Sequence, residues 1–273
     1  MRLALGLEYD GASFRGWQTQ PDDRGVQDCV ETALTQIAGG PVSTICAGRT
    51  DSGVHALDQV IHFDTDVARP TTAWVRGVNR FLPPSVAVRW ARVVGHDFHA
   101  RYGAKRRRYD YWIVNAPVRS PLAHQRAGWV FRHLDENAMQ RAAQHLIGRH
   151  DFTSFRSAEC QASTPVRNVE RLTVERRGPL LQISVSANAF LHHMVRNVVG
   201  SLVYVGVGRR PADWARDVLN ARDRAAAAPT FAAAGLYLTR VEYDQAFGLP
   251  APDEQAGWTH AYTNQDLRTD ARS

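Results

Sequence analysis

The chain has 273 residues, enough for one large domain or two of ordinary size. Hydrophobic residues make up 44% and charged residues 22%, which excludes wholesale disorder and provides for a packed core. The 33 basic and 27 acidic residues leave a net charge of +6, mostly arginine, whose planar fork favours an anionic partner.

Leu3 to Tyr9 reads as a strand that stops at the turn pair Asp10-Gly11. Gly16-Trp17-Gln18 and Pro21-Asp22-Asp23 belong to a loop. Apolar residues at Val26, Cys29, Val30, Ala33, Leu34 and Ile37 have helical spacing, and Gly39-Gly40 closes that helix at Ala38. Val60 to Phe63 is a short strand, Thr71 to Asn79 a helix opened by Pro70, and Val86 to Val94 an alternating strand. Arg108 to Asn115 is aromatic and β-rich, and Asp135 to Leu146 is helical with Asp135 as its N-cap. Val169 to Val174 and Leu180 to Val185 flank the hairpin turn Arg177-Gly178-Pro179. A long apolar helix is predicted over Ala189 to Val205, a second helix over Ala212 to Ala221, and a closing strand over Leu236 to Tyr243. Strands and helices alternate without a strict βαβ rhythm, so the predicted class is α+β. A boundary near residue 105 separates an N-terminal α+β domain (1–105) from a C-terminal one (106–250). The polar stretch 251–273 lacks periodicity and reads as a weakly ordered tail.

Cys29, Cys46 and Cys160 are odd in number, far apart and without a Cys-x-x-Cys pair, which argues against a disulfide framework or a cysteine zinc site. The apolar run at the N-terminus is too short for a signal peptide, and no run approaches the roughly 20 residues of a membrane span. These features predict a cytoplasmic protein with no membrane contact.

Three segments carry chemistry. The first is Cys46-Ala47-Gly48-Arg49-Thr50-Asp51-Ser52-Gly53-Val54-His55. Polar residues between two glycines suit a tight turn that a partner approaches closely. On an extended segment Arg49 and Asp51 point the same way and pair. A plain Asx-turn with a surface ion pair is the simpler reading of the same residues. The second segment runs from Arg101 to Trp112. Lys105, Arg106, Arg107 and Arg108 supply phosphate contacts in this reading, and Tyr109, Tyr111 and Trp112 offer rings that stack on unpaired bases. Tyr109 and Tyr111 share a face, but only one is expected in a site. The third segment, Asn188 to Asn197, places Arg196 on an apolar helix, where burial requires a carboxylate partner. On a helix the adjacent His192 and His193 diverge, and no His-Glu-x-x-His is present, so capping or RNA contact is expected of them and no metal site. There is no P-loop, no nucleophile elbow and no dinucleotide fingerprint.

From Leu3 to Pro250 the chain resembles the tRNA pseudouridine synthase A family. The resemblance lies in Leu7-Glu8-Tyr9-Asp10-Gly11, Gly16-Trp17-Gln18, the Gly48-Arg49-Thr50-Asp51 to His55 block, Asp97-Phe98-His99-Ala100-Arg101, Arg107-Arg108-Tyr109, Asp151 to Arg156, the 188–200 segment and Gly235-Leu236-Tyr237-Leu238. It implies two α+β halves with RRM-like, mainly antiparallel sheets joined across an RNA-binding cleft. It also implies a homodimer that isomerises uridines 38 to 40 of the tRNA anticodon stem-loop without cofactor or metal. By motif, Asp51 falls on the catalytic aspartate and Tyr109 on the ring that stacks on the target base. Arg49 falls on the arginine that helps displace the base, Arg196 on the partner of the aspartate, and Leu236 on an apolar wall. Two rivals stay open at this level: a non-catalytic RNA-binding protein, indifferent to Asp51→Asn, and a hydrolase, which releases free uracil and would be expected to use two carboxylates.

Overall fold

The computed structural model describes residues 1–250; the predicted tail, 251–273, lies outside the described residues. The first half contributes β1 (Arg2–Tyr9), α1 (Val26–Ala38), β2 (Ile45–Cys46), β3 (His55–Asp64), α2 (Thr71–Asn79) and β4 (Val86–Val94). The second contributes β5 (Arg106–Asn115), β6 (Gly128–Val130), α3 (Glu136–Gln144), β7 (Gly148–Asp151), β8 (Val166–Arg177), β9 (Leu180–Ala187), α4 (Met194–Gly206), α5 (Trp214–Ala221) and β10 (Leu236–Glu242). This is the expected α+β class.

The strands form a single sheet in the order β4-β1-β3-β10-β5-β9-β8-β7, with β2 paired to β3 and β6 to β5. Pairing is antiparallel except at β3/β10 and β5/β6. The last strand among the described residues, β10, inserts between β3 and β5 and joins strands from both halves. Residue 105 lies in the connection between β4 and β5. On the first half α1 packs on α2, and α2 on β4; on the second, α3 packs on β8, α4 and α5. One apolar core runs through both groups of helices.

Local chemistry explains most boundaries. Alternating Leu3, Leu5 and Leu7 are fully buried along β1, and Gly6 lies where a Cβ would sit 2.0 Å from the Trp90 indole nitrogen. The Asp28 carboxylate accepts the Gly25 N–H at 2.8 Å at the start of α1, and Gly39 ends that helix at φ 71°. Asp135 caps α3 as predicted, its side chain accepting the Ala138 N–H at 2.9 Å.

Two predictions are corrected. The strand expected over Val60–Phe63 spans His55–Asp64. The polar residues before Val60 find buried partners instead of ending the strand: Asp58 accepts the Val241 N–H at 2.9 Å, and His55 Nδ1 accepts that of Gly11 at 3.1 Å. The helix expected from Ala189 starts at Met194, because His193 adopts φ 62° and breaks the helical run.

Candidate active site at the Asp51 loop

The loop 47–54 leads into β3 where β3, β10 and β5 meet. Its shape is imposed from below. The Tyr9 hydroxyl and Thr50 Oγ1 lie 2.8 Å apart, and Thr50 is buried. The Thr50 carbonyl accepts the Trp17 N–H at 2.9 Å. Gly16, at φ 90°, sits so close that a Cβ there would be 2.7 Å from the Thr50 oxygen. Gln59 donates to the Gly48 carbonyl at 2.6 Å from the neighbouring strand. A turn closes when Val54 N–H donates to the Asp51 carbonyl at 3.1 Å, with Gly53 at φ 76°. With Thr50 held inward and the turn started, the Asp51 side chain is directed toward the entry to α4.

Arg196, in the first turn of α4, donates to Asp51 Oδ2 at 3.1 Å. Both side chains are mostly shielded, at 16% and 19% exposure, so loss of either partner strands the other as a poorly solvated charge. The guanidinium is fixed from behind: Arg196 Nε donates to the Phe231 carbonyl at 2.9 Å, and the Phe231 N–H returns to the Arg196 carbonyl at 3.3 Å. Asp51 also lies beside the N-terminus of α4, where the helix dipole complements a carboxylate. The far side of α4 is anchored through buried Asn197, whose Oδ1 accepts Thr230 Oγ1 at 2.7 Å and Arg224 Nη2 at 3.1 Å.

The carboxylate has two more neighbours. His192 Nε2 lies 3.4 Å from Oδ1, and His193 Nε2 lies 3.5 Å from Oδ2. Divergence was expected for adjacent histidines on a helix; both precede α4, and the left-handed turn at His193 brings both rings to the same carboxylate. Burial, first among several influences, holds the His193 imidazole below its ordinary pKa. Nothing in the sequence pattern marks this turn, since a positive φ at histidine is set by what surrounds it.

The pairing of Arg49 with Asp51 is also corrected. The segment turns at Asp51, so the two side chains part; Arg49 is exposed and has no charge partner among the described residues.

Tyr109 and Tyr111 share a face, as parity required, but differ in their surroundings. Both project to one face of β5, opposite Leu238 and Leu236 of β10. Tyr111 is fully buried and donates its hydroxyl to the Ala232 carbonyl at 2.9 Å, which makes it core. Tyr109 keeps 8% exposure, lies edge-on to Phe190 at 5.1 Å, and its hydroxyl has no hydrogen-bond partner among the described residues. Its hydroxyl is 3.6 Å from where a Gly48 Cβ would stand. Burial raises the Tyr109 pKa above its ordinary 10.0, and the Asp51 charge pushes the same way. Leu236, 4% exposed, opens β10 directly opposite Tyr111.

The basic run is tied down within the fold. Lys105 bonds Asp244 at 2.7 Å; Arg106 bridges Glu170 and Glu242; Arg108 lies 3.0 Å from Asp110. Arg107 is 8% exposed and holds four backbone carbonyls, those of Ala47, Arg101, Ala104 and Asn188, at 2.6–3.1 Å. Burial lowers its pKa from 12.5, yet the side chain clamps the start of the Asp51 loop to the segment that leads toward α4. Its burial and inward bonds leave no free fork for a phosphate.

The model of the tRNA pseudouridine synthase family matches residues 7–103 and 142–244. The chain belongs to that family. Among curated relatives, the tRNA pseudouridine synthase A of Bordetella petrii is 56% identical over 254 residues, covering 92% of this chain and 95% of the relative. The tRNA pseudouridine synthase A of Janthinobacterium sp. (strain Marseille) is 54% identical over 260 residues, covering 93% and 96%. That of Burkholderia ambifaria is 53% identical over 268 residues, covering 98% and 99%. Membership in the tRNA pseudouridine synthase family was legible in the sequence motifs. The carbonyl of Phe231, the Tyr9–Thr50 bond and the two histidines at Asp51 were not, because they depend on contacts between distant segments.

Proposed function

We propose that the chain isomerises uridine to pseudouridine in the anticodon stem-loop of tRNA, at positions 38 to 40, with Asp51 as its catalytic carboxylate. The reaction breaks the C1′–N1 bond, turns the uracil and joins C1′ to C5, with loss of the C5 proton and gain of one at N1. Its atoms balance without a redox carrier. The observation that carries this reading is the shielded carboxylate of Asp51, held by Arg196 at 3.1 Å close to the largely buried Tyr109 ring. Such a carboxylate attacks C1′ or steadies a cationic sugar as the glycosidic bond breaks.

The target base leaves its stack at a cost of a few kcal/mol. Tyr109 offers the ring on which it stacks, and Leu236 an apolar wall. Exposed Arg49 occupies the outer side of the loop, where it fits displacement of the base. Lys105, Arg106 and Arg108 retain partial exposure and are assigned to the RNA side, whereas burial removes Arg107 from that set. The two halves, 1–105 and 106–250, are read as related α+β units flanking an RNA-binding cleft. The chain acts in the cytoplasm as a homodimer; exposed Trp129 and Phe131 leave apolar surface for a second copy, and a sizing measurement tests it. No helix among the described residues is long and apolar enough to cross a membrane.

Tritium release from tRNA labelled at C5 of uridine tests the assignment. Asp51→Asn should bind tRNA within a few-fold of wild type and lose at least about 10³-fold in release rate, as removal of a covalent or charge-stabilising group does. Release at the wild-type rate from that variant would remove Asp51 from the chemistry.

A further inference from the structure

The turn at His192 and His193 gives the Asp51 carboxylate a ligand set as well as an ion pair. The two imidazole nitrogens stand 3.4 and 3.5 Å from the carboxylate oxygens, and one ligand atom from each of the three residues falls within 4.8 Å of the others. A tetrahedral zinc with bonds of about 2.0–2.2 Å separates neighbouring ligand atoms by about 3.3–3.6 Å. Each imidazole nitrogen stands within that range of one carboxylate oxygen, His192 of Oδ1 and His193 of Oδ2, and a small rotation of the His193 ring or the carboxylate gathers the three ligand atoms on one ion. The side chains of Asp51, His192 and His193 keep 19%, 36% and 27% exposure, so an ion reaches them from solvent.

We propose that Asp51, His192 and His193 form a reversible site for a first-row divalent transition metal, zinc foremost, whose occupancy blocks the reaction. Two imidazoles and one carboxylate leave a fourth position for water, the arrangement of an open zinc site. Imidazole donors select zinc, copper or nickel over magnesium, which prefers oxygen. Arg196 opposes the ion, because its guanidinium already holds Oδ2 at 3.1 Å. It leaves Oδ1, facing His192, as the principal oxygen ligand. This opposition makes the site weaker than a structural zinc centre and suits an ion that comes and goes. A metal on Asp51 engages the carboxylate that the reaction needs. The blocking role rests on the reading of Asp51 as catalytic; the binding does not.

Full-length chain stripped with a chelator would be titrated with zinc chloride in two assays, equilibrium dialysis with metal analysis and tritium release. The expected result is one zinc per chain at this site, loss of release as it fills, recovery on adding EDTA, and no effect of magnesium at the same concentration. His192→Ala and His193→Ala should each weaken zinc binding at least about tenfold, whether or not either variant turns over uridine. Cys160→Ser should leave binding unchanged. Zinc binding undiminished in both histidine variants overturns the site, as does no binding by the wild type. Zinc binding that leaves an active wild-type enzyme uninhibited overturns the blocking role. A metal-free wild type with no tritium release would instead overturn the functional reading, while dialysis still decides the site.

Discussion

Two shielded arginines reach the Asp51 loop from the second half of the chain, and they differ in what they hold. Arg196 holds a carboxylate, at 3.1 Å, and lies at the start of a helix. Arg107 holds four backbone carbonyls and has no acidic partner among the contacts it makes. The first arrangement fixes a charge, and the second fixes a path of the chain. A guanidinium has five donors in a rigid fork, so it serves either purpose, but the consequences of losing it differ. Loss of Arg196 should appear in the chemistry. Loss of Arg107 should appear in stability.

Of the two arginines, Arg196→Met gives the larger expected effect. It leaves a shielded carboxylate without its guanidinium, and tritium release should fall by about 10²-fold or more, as for loss of a positioned charge partner. A variant that keeps wild-type release would erase the distinction between the two arginines. Arg107→Met is expected to lower the melting temperature by about 5–10 °C, from roughly 2–4 kcal/mol of unsatisfied carbonyls. Release per folded molecule should stay within a few-fold of wild type. If Arg107→Met instead melts normally but loses tRNA affinity and its salt dependence, Arg107 is a phosphate ligand after all.

Tyr109→Phe sharpens the comparison on the aromatic side. It keeps the ring and removes a hydroxyl that has no partner among the described residues, so a loss within about tenfold is expected if stacking is its main task. Because the Tyr109 pKa is raised above 10.0, its hydroxyl remains protonated to pH 10, and the pH–rate profile of the wild type should show no tyrosine limb below that pH.

The smallest effect concerns a third buried charge, at the β3/β10 junction. Burial raises the Asp58 pKa from 3.8 to about 6, against the pull of the Val241 N–H. A raised folded pKa contributes stability that is present below pH 3.8 and lost as pH rises to about 6. Asp58→Asn keeps an acceptor for Val241 without a charge. Its melting temperature should match wild type near pH 4 and exceed it above pH 6, by an amount equivalent to about 1–3 kcal/mol. A constant difference across this range would mean that Asp58 does not carry the titration.

Several elements were legible because they follow from local pattern. The α1 helix shows in the spacing of Val26, Val30, Ala33 and Leu34 before Gly39, and α3 in its Asp135 cap. The loop around Asp51 stood out through its glycines and its polar run. Less legible was the first part of β3, whose polar His55, Asp58 and Gln59 resemble loop residues until their partners are in place. The basic run misled in one respect: Arg107 reads as a free cation in the sequence, although the fold closes four carbonyls around it.

The sequence by itself determined the class of fold, most helices and strands, the family and the residues able to do chemistry. Tertiary structure decided which of them meet. Asp51 and Arg196 are 145 residues apart, and their contact needs a loop held by Gly16 and Thr50, a helix start turned by His193, and a carbonyl from Phe231. Local propensity carries no information about such distances. They are set by which long-range contacts satisfy most buried polar groups at once.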